Sequence, residues 1–143
     1  MIETKEVKLL GSPNGIAKEY RLKYKEVQGY IKDMQAFGWE PTQTTSRREG
    51  RCTYDYQIMA RDTSMAHYND YKQLEEVYKT NKANIKTYIE AEFTTALLLL
   101  LVFLIPGIIY IAYKSTQKAS IGSHNDYCRL QMQKAVQAAR NIK

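Results

Sequence analysis

The chain has 143 residues, with 21 Lys and Arg against 15 Asp and Glu, a formal charge of +6, two Cys and two His. That length limits it to one small domain with accessory segments. The scattered Cys and His exclude a soft-metal cluster of the zinc type, and no P-loop, GxGxxG or GxSxG pattern occurs.

Charge is unevenly spread: residues 1–92 carry 15 basic against 14 acidic side chains, whereas 114–143 carry six against one. The N-terminus, MIETKEVKLL, has no apolar h-region and predicts no secretory signal. Val7–Leu10 reads as a short strand, stopped by the turn sequence Gly11-Ser12-Pro13-Asn14-Gly15. Tyr20, Leu22 and Tyr24 then alternate with Glu19, Arg21, Lys23 and Lys25, the period of a half-buried strand. Val27, Tyr30, Ile31, Met34 and Phe37 follow at helical spacing. Gly38 stands at the left-handed position of a Schellman stop, with Trp39 folding back on Met34.

Glu40–Arg48 is polar and Thr-rich, and Pro41 fits it to a sheet edge. After a turn at Arg48–Arg51, Cys52, Tyr54, Tyr56 and Ile58 alternate with Thr53, Asp55, Gln57 and Met59. This is the strongest strand pattern in the chain, expected at the centre of the sheet with its tyrosines inward. Asp62-Thr63-Ser64 supplies N-cap candidates for a helix that carries His67, Tyr71, Leu74, Tyr78, Asn81, Ile85 and Tyr88 at alternating spacings of four and three. Its second half reads as a stalk able to self-associate.

Phe93–Tyr113 holds 21 uncharged residues, 13 of them Leu, Ile, Val or Phe. As a helix it covers about 31 Å, the thickness of a hydrocarbon core. Phe93, Leu97, Leu101, Pro106, Gly107, Tyr110 and Tyr113 mark this expected membrane segment, with Pro106-Gly107 as a kink or, alternatively, a hairpin turn. Beyond it come a loop over 115–123 and a capping-box-like Ser123-x-x-Asp126. The last helix is striped by Cys128, Met132, Ala135, Val136, Ala139 and Ile142. Lys114, Lys118, Arg129, Lys134 and Arg140 are candidates for lipid headgroup contacts.

The expectation is therefore an α+β fold: a small antiparallel-rich sheet with two helices on one face, followed by one transmembrane helix and a short C-terminal amphipathic helix. Its segments are an α+β domain at 1–78, a helical stalk at 79–92, the membrane helix at 93–113 and a basic tail at 114–143. The absent signal favours the domain in the cytosol of a single-pass protein in a plasma membrane of bacterial type, while the basic tail argues for keeping the tail inside.

Chemistry is thin. His124 and Cys128 stand one helical turn apart, and His67 lies near Asp70, but neither pair has a third partner. Arg47, Arg48 and Arg51 cluster at a hairpin tip interrupted by acids, and the best strand lacks outward aromatics, which weighs against nucleic acid. No cofactor or small-molecule substrate is indicated. The reading is a non-enzymatic, membrane-anchored interaction or scaffold protein whose partners are the bilayer and a protein, or a second copy through the stalk. The alternatives are an interfacial membrane enzyme or lipid-interacting protein, and an accessory subunit of a transport complex.

Overall fold

A computed structural model describes residues 1–88, 94, 95, 97 and 104–142. The described elements run β1 (Ile2–Lys8), α1 (Lys18–Ala36), β2 (Glu40–Glu49), β3 (Cys52–Asp62), α2 (Tyr68–Ala83) and α3 (Leu104–Asn141). The chain divides into two compact units, Met1–Val77 with Lys134–Lys143, and Tyr78–Gln133.

The first unit is built on a three-stranded antiparallel sheet in the order β1-β3-β2. The Pro-free strand β3 takes the centre, and Pro41 falls on the edge strand β2, where a missing amide is tolerated. A register shift between Pro41 and Gln43 leaves Thr42 as an extra residue in β2. The first strand lies earlier than the sequence indicates, at Ile2–Lys8 instead of Val7–Leu10.

The expected strand through Tyr20–Tyr24 is helix instead, the opening of α1. Lys18–Lys25 contains no β-branched residue, and its Glu, Lys, Arg and Leu favour helix. Tyr20, Tyr24, Val27, Ile31 and Met34 continue one 4-3-4-3 stripe. The stop after α1 follows its sequence signal. Gly38 has φ +82°, its amide donates to the Gln35 carbonyl at 3.2 Å, and the Trp39 amide donates to the Met34 carbonyl at 3.3 Å. A Cβ on Gly38 would meet Met65 Cε at 2.8 Å, so the site is both left-handed and crowded.

The predicted cap at Asp62–Ser64 does other work. Asp62 Oδ1 accepts the Ser64 amide at 2.9 Å and the Ser64 hydroxyl at 2.7 Å, closing an Asx turn. The Ser64 amide, and after it the hydroxyl, hold the Asp62 carboxyl below its ordinary pKa. The helix opens later, at Tyr68, after His67 in a left-handed backbone (φ 60°).

The expectation of one transmembrane helix is overturned. No helix among the described residues is long and apolar enough to cross a membrane. α3 takes in only the last part of the apolar run, from Leu104 to Tyr113, and continues through Lys114 as a polar helix to Asn141. The flanks of the run also touch: the Tyr88 hydroxyl donates to the Lys114 carbonyl at 3.3 Å. A straight helix over 93–113 would hold its two ends about 31 Å apart, so a single-pass span does not fit this contact. Of the residues expected to mark the span, Phe93 and Leu101 lie outside the described residues, and Leu97 is helical and exposed. Pro106 is exposed in the first turn of α3, where its missing amide breaks no helix bond. Gly107 is buried, Tyr110 half-buried and Tyr113 exposed.

The stalk reading changes as well. α2 ends at Ala83, so the heptad-like run does not continue as helix through Ile85 and Tyr88. Within the second unit, 84–88 is pinned to α3. The Lys86 amide donates to Asn125 Oδ1 and Asn125 Nδ2 donates to the Lys86 carbonyl, both at 2.7 Å, while His124 Nε2 lies 2.9 Å from the Asn84 carbonyl. Residues 89–92 lie outside the described residues. The predicted loop at 115–123 and the Ser123 cap are replaced by continuous helix. The Thr116 and Ser123 hydroxyls donate back to the Ala112 and Ala119 carbonyls at 3.0 and 3.1 Å.

Candidate functional site

Three places gather chemistry-bearing side chains: the interior of the sheet domain, the far face and free edge of the sheet, and the His124–Cys128 pair. The interior is the most polar. Glu3 pairs in register with Arg61, and Lys5 with Met59, so all four share one sheet face. Lys5 Nζ lies 2.9 Å from Met34 Sδ on α1 and 3.1 Å from Glu75 Oε1 on α2. Arg61 Nη1 donates to Glu75 Oε2 at 2.9 Å and to the Phe37 carbonyl at 3.2 Å. Both helices therefore lie against this face.

Glu75 and Arg61 are buried, at 1% and 4% exposure, among Met34, Phe37, Trp39, Met59 and Tyr71. Trp39 Nε1 donates to Glu75 Oε2 at 3.0 Å, and Arg61 Nη2 donates to Glu3 Oε2 at 2.9 Å. The Tyr68 hydroxyl donates to the other Glu3 oxygen. Lys5 and Arg61 both approach the Trp39 ring, each 4.4 Å from its centre. The Tyr68 hydroxyl, and after it Arg61, hold the Glu3 carboxyl below its ordinary pKa, and Glu3 in turn pushes the Tyr68 phenol up. Two carboxylates and two cations here neutralise one another. No buried side-chain donor or acceptor among the described residues lacks a partner. Such a network fixes the register of β1, β3, α1 and α2.

Sequence reasoning missed this cluster because its charges looked like a solvated face. One signal was available: Glu75 stands four after Tyr71 and three before Tyr78, a carboxylate in a stripe whose neighbours are buried at 4% and 3% exposure.

The same geometry inverts the expected facing of β3. Met59 and Arg61 point to the helices, whereas Tyr54 and Tyr56 lie on the opposite face with Lys8, Glu6, Arg47 and Glu49. The rings are covered by strand side chains: Lys8 Nζ sits 3.5 Å from the Tyr54 ring centre, and Arg47 Cζ lies 5.2 Å from that of Tyr56. Lys8 and the Tyr56 hydroxyl both bond the Glu49 carboxylate. These two bonds, the lysine's first, hold Glu49 below its ordinary pKa, and Glu49 raises those of Lys8 and Tyr56. The basic strand face expected from Arg21, Lys23 and Lys25 is instead part of α1. There Arg21 Nη1 donates to the Gly15 and Ile16 carbonyls at 2.7 and 3.0 Å.

His124 and Cys128 do come together, with Sγ 3.7 Å from Nε2. That nitrogen is also engaged by the Asn84 carbonyl, and Cys128 is 2% exposed. His67 Nδ1 lies 3.2 Å from Asp70 Oδ2 with both side chains more than half exposed. Cys52 and Cys128 are free thiols. Among the described residues no three His, Cys, Asp or Glu gather to hold a metal. Of the basic residues assigned to lipid headgroups, Lys114 and Lys118 stand about 6 Å from the Tyr88 ring, at 6.0 and 5.7 Å. Arg129, 3.6 Å from Asp126, is exposed, as are Lys134 and Arg140.

The tail stripe is buried within the chain. Cys128, Ala135, Val136 and Ala139 are all at or below 6% exposure, and the last three belong to the first unit.

No protein-family model matches this chain, and no curated protein or solved structure matches it either.

Proposed function

We propose that the chain is a non-enzymatic protein-interaction module whose sheet presents β2 to a protein partner. Membrane anchoring forms no part of this reading. The observation that carries it is the state of β2: an edge strand of ten residues in which every residue except Thr45 is exposed. The interior charges are consumed by the fold, whereas among the described residues this strand keeps one edge unpaired, the feature by which sheets accept another chain. The rival enzyme reading on His124 and Cys128 needs a thiol open to substrate, and Cys128 is enclosed.

A photo-crosslinking residue placed at Thr44 in the full chain, in cells that make it, tests the reading. The expected result is one adduct of constant mass at Thr44 and none from the same probe at Gln28, on the exposed surface of α1. Absence of any discrete adduct from Thr44 and from its exposed β2 neighbours overturns the proposal.

A further inference from the structure

We infer that the free edge of β2 takes up an extended, acidic protein segment as a fourth strand along Gln43–Glu49, with carboxylates beside Arg48 and Arg51. The inference rests on the interaction reading above and names its site and partner chemistry.

Backbone direction follows from the ladder. The Leu9 amide donates to the Asp55 carbonyl and the Thr63 amide to the Met1 carbonyl, both at 2.8 Å, which fixes the odd residues of β3 as those bonded to β1. The even residues Tyr54, Tyr56 and Ile58 therefore bond β2 through their partners Arg47, Thr45 and Gln43. Thr44, Ser46 and Arg48, lying between them, aim their amides and carbonyls away from the sheet. Pro41 falls in the same outward set and has no amide to offer, and the extra residue Thr42 bends the strand beside it. The open part of the edge is thus Gln43–Glu49.

Charge selects the occupant. Arg47 is bridged to Glu6 at 3.1 Å. Among the described residues Arg48 bonds only its own hairpin, at the Gly50 carbonyl (3.4 Å), and exposed Arg51 has no carboxylate partner. Two β2 edges paired antiparallel about Ser46 would set Arg48 against Thr44, leaving both guanidinium groups without a counterion. A strand carrying Glu or Asp at the end nearest the hairpin tip satisfies backbone and charge together.

The test uses the full chain and a fluorescent peptide of about ten residues, alternating Thr and Val with Glu at one end, and a second peptide with Lys in place of Glu. Anisotropy should show the acidic peptide binding at least about tenfold more tightly than the basic one. Arg48→Glu combined with Arg51→Glu should abolish that preference or reverse it. Of the backbone groups Thr44→Pro removes only an outward amide, and with the side chain goes an exposed hydroxyl bond to Gln57 Oε1 at 3.2 Å. It should weaken the acidic peptide at least about tenfold with its circular dichroism unchanged; Ser46→Pro repeats the test at the next outward amide, where the exposed hydroxyl bond is to Asp55. Unaltered binding by both proline variants overturns strand addition, and no binding by about 1 mM overturns the site. A dimer of the unaltered chain that Thr44→Pro dissolves assigns the edge to a second copy instead. If the Thr44 crosslink survives in the Arg48→Glu, Arg51→Glu chain, the interaction reading stands and the acidic partner falls. If no crosslink forms in either chain, both fall.

Discussion

Glu75 owes its tolerance of burial to three donors, from Lys5, Trp39 and Arg61, each within 3.1 Å. Removing the carboxylate leaves Lys5 and Arg61 facing each other with Glu3 as the one carboxylate of the cluster, so Glu75→Ala should cost about 3–5 kcal/mol in urea unfolding. Trp39, the one tryptophan, bonds that carboxylate and reports the loss by its fluorescence. Glu3 and Tyr68 give the same domain a pH signature. With the Glu3 pKa lowered, its contribution is complete above the ordinary carboxylate range, about pH 4–5, and is lost as pH falls through the folded value. With the Tyr68 pKa raised, its contribution is complete below about pH 10 and is lost as pH rises through the folded value. Urea midpoints measured across both limbs should therefore decline at each end, and Tyr68→Phe should flatten both declines. None of these partnerships is local: Glu3 and Arg61 stand 58 residues apart and Lys5 and Glu75 stand 70 apart, so no spacing rule connects them.

At the scale of elements, signals confined to a few neighbouring residues were readable and those needing a partner were not. The Schellman stop at Gly38, the edge position of Pro41 and the central place of β3 follow from local backbone chemistry. Tyr20–Tyr24 was ambiguous, because a strand period of two and a helical step of four coincide at those two tyrosines. Helix prevailed because the stripe continues into Val27, Ile31 and Met34. The facing of β3 was inverted because hydrophobic alternation assigns tyrosine inward and arginine outward, whereas here Arg61 is sheltered by carboxylates and Tyr56 by Lys8 and Arg47. The ladder alternation along β2 makes a sharp prediction. Thr45→Pro deletes an inward amide and should lower the melting temperature by roughly 4–8 °C or more, the shift that 1 kcal/mol gives in a domain of this size. Thr44→Pro should leave it within about 2 °C, since its amide faces out. Equal losses in the two variants would refute the assigned direction of the edge.

For the molecule as a whole, the apolar run was legible as a composition, while its path was not. Length and hydropathy predict a single span kinked at Pro106-Gly107, and the meeting of Tyr88 with Lys114 shows its flanks side by side. Spin labels at Thr87→Cys and Ser115→Cys, with Cys52→Ser to remove the exposed thiol, put a number on this. Pulsed dipolar spectroscopy should give a separation below about 20 Å, against about 42 Å for a continuous helix between those positions. The longer distance would restore the single span and break the second unit. The burial of Ala135, Val136 and Ala139 in the same unit as residues 1–77 has a consequence in time. Synthesis is vectorial, and the β2–β3 hairpin can pair as soon as Asp62 is made, yet the packing of that unit waits for residues translated long afterwards. Until they emerge, the half-finished surface must be shielded by the nascent chain itself or by a chaperone. A stop codon placed shortly before Lys134 would leave the sheet domain permanently in that unfinished condition.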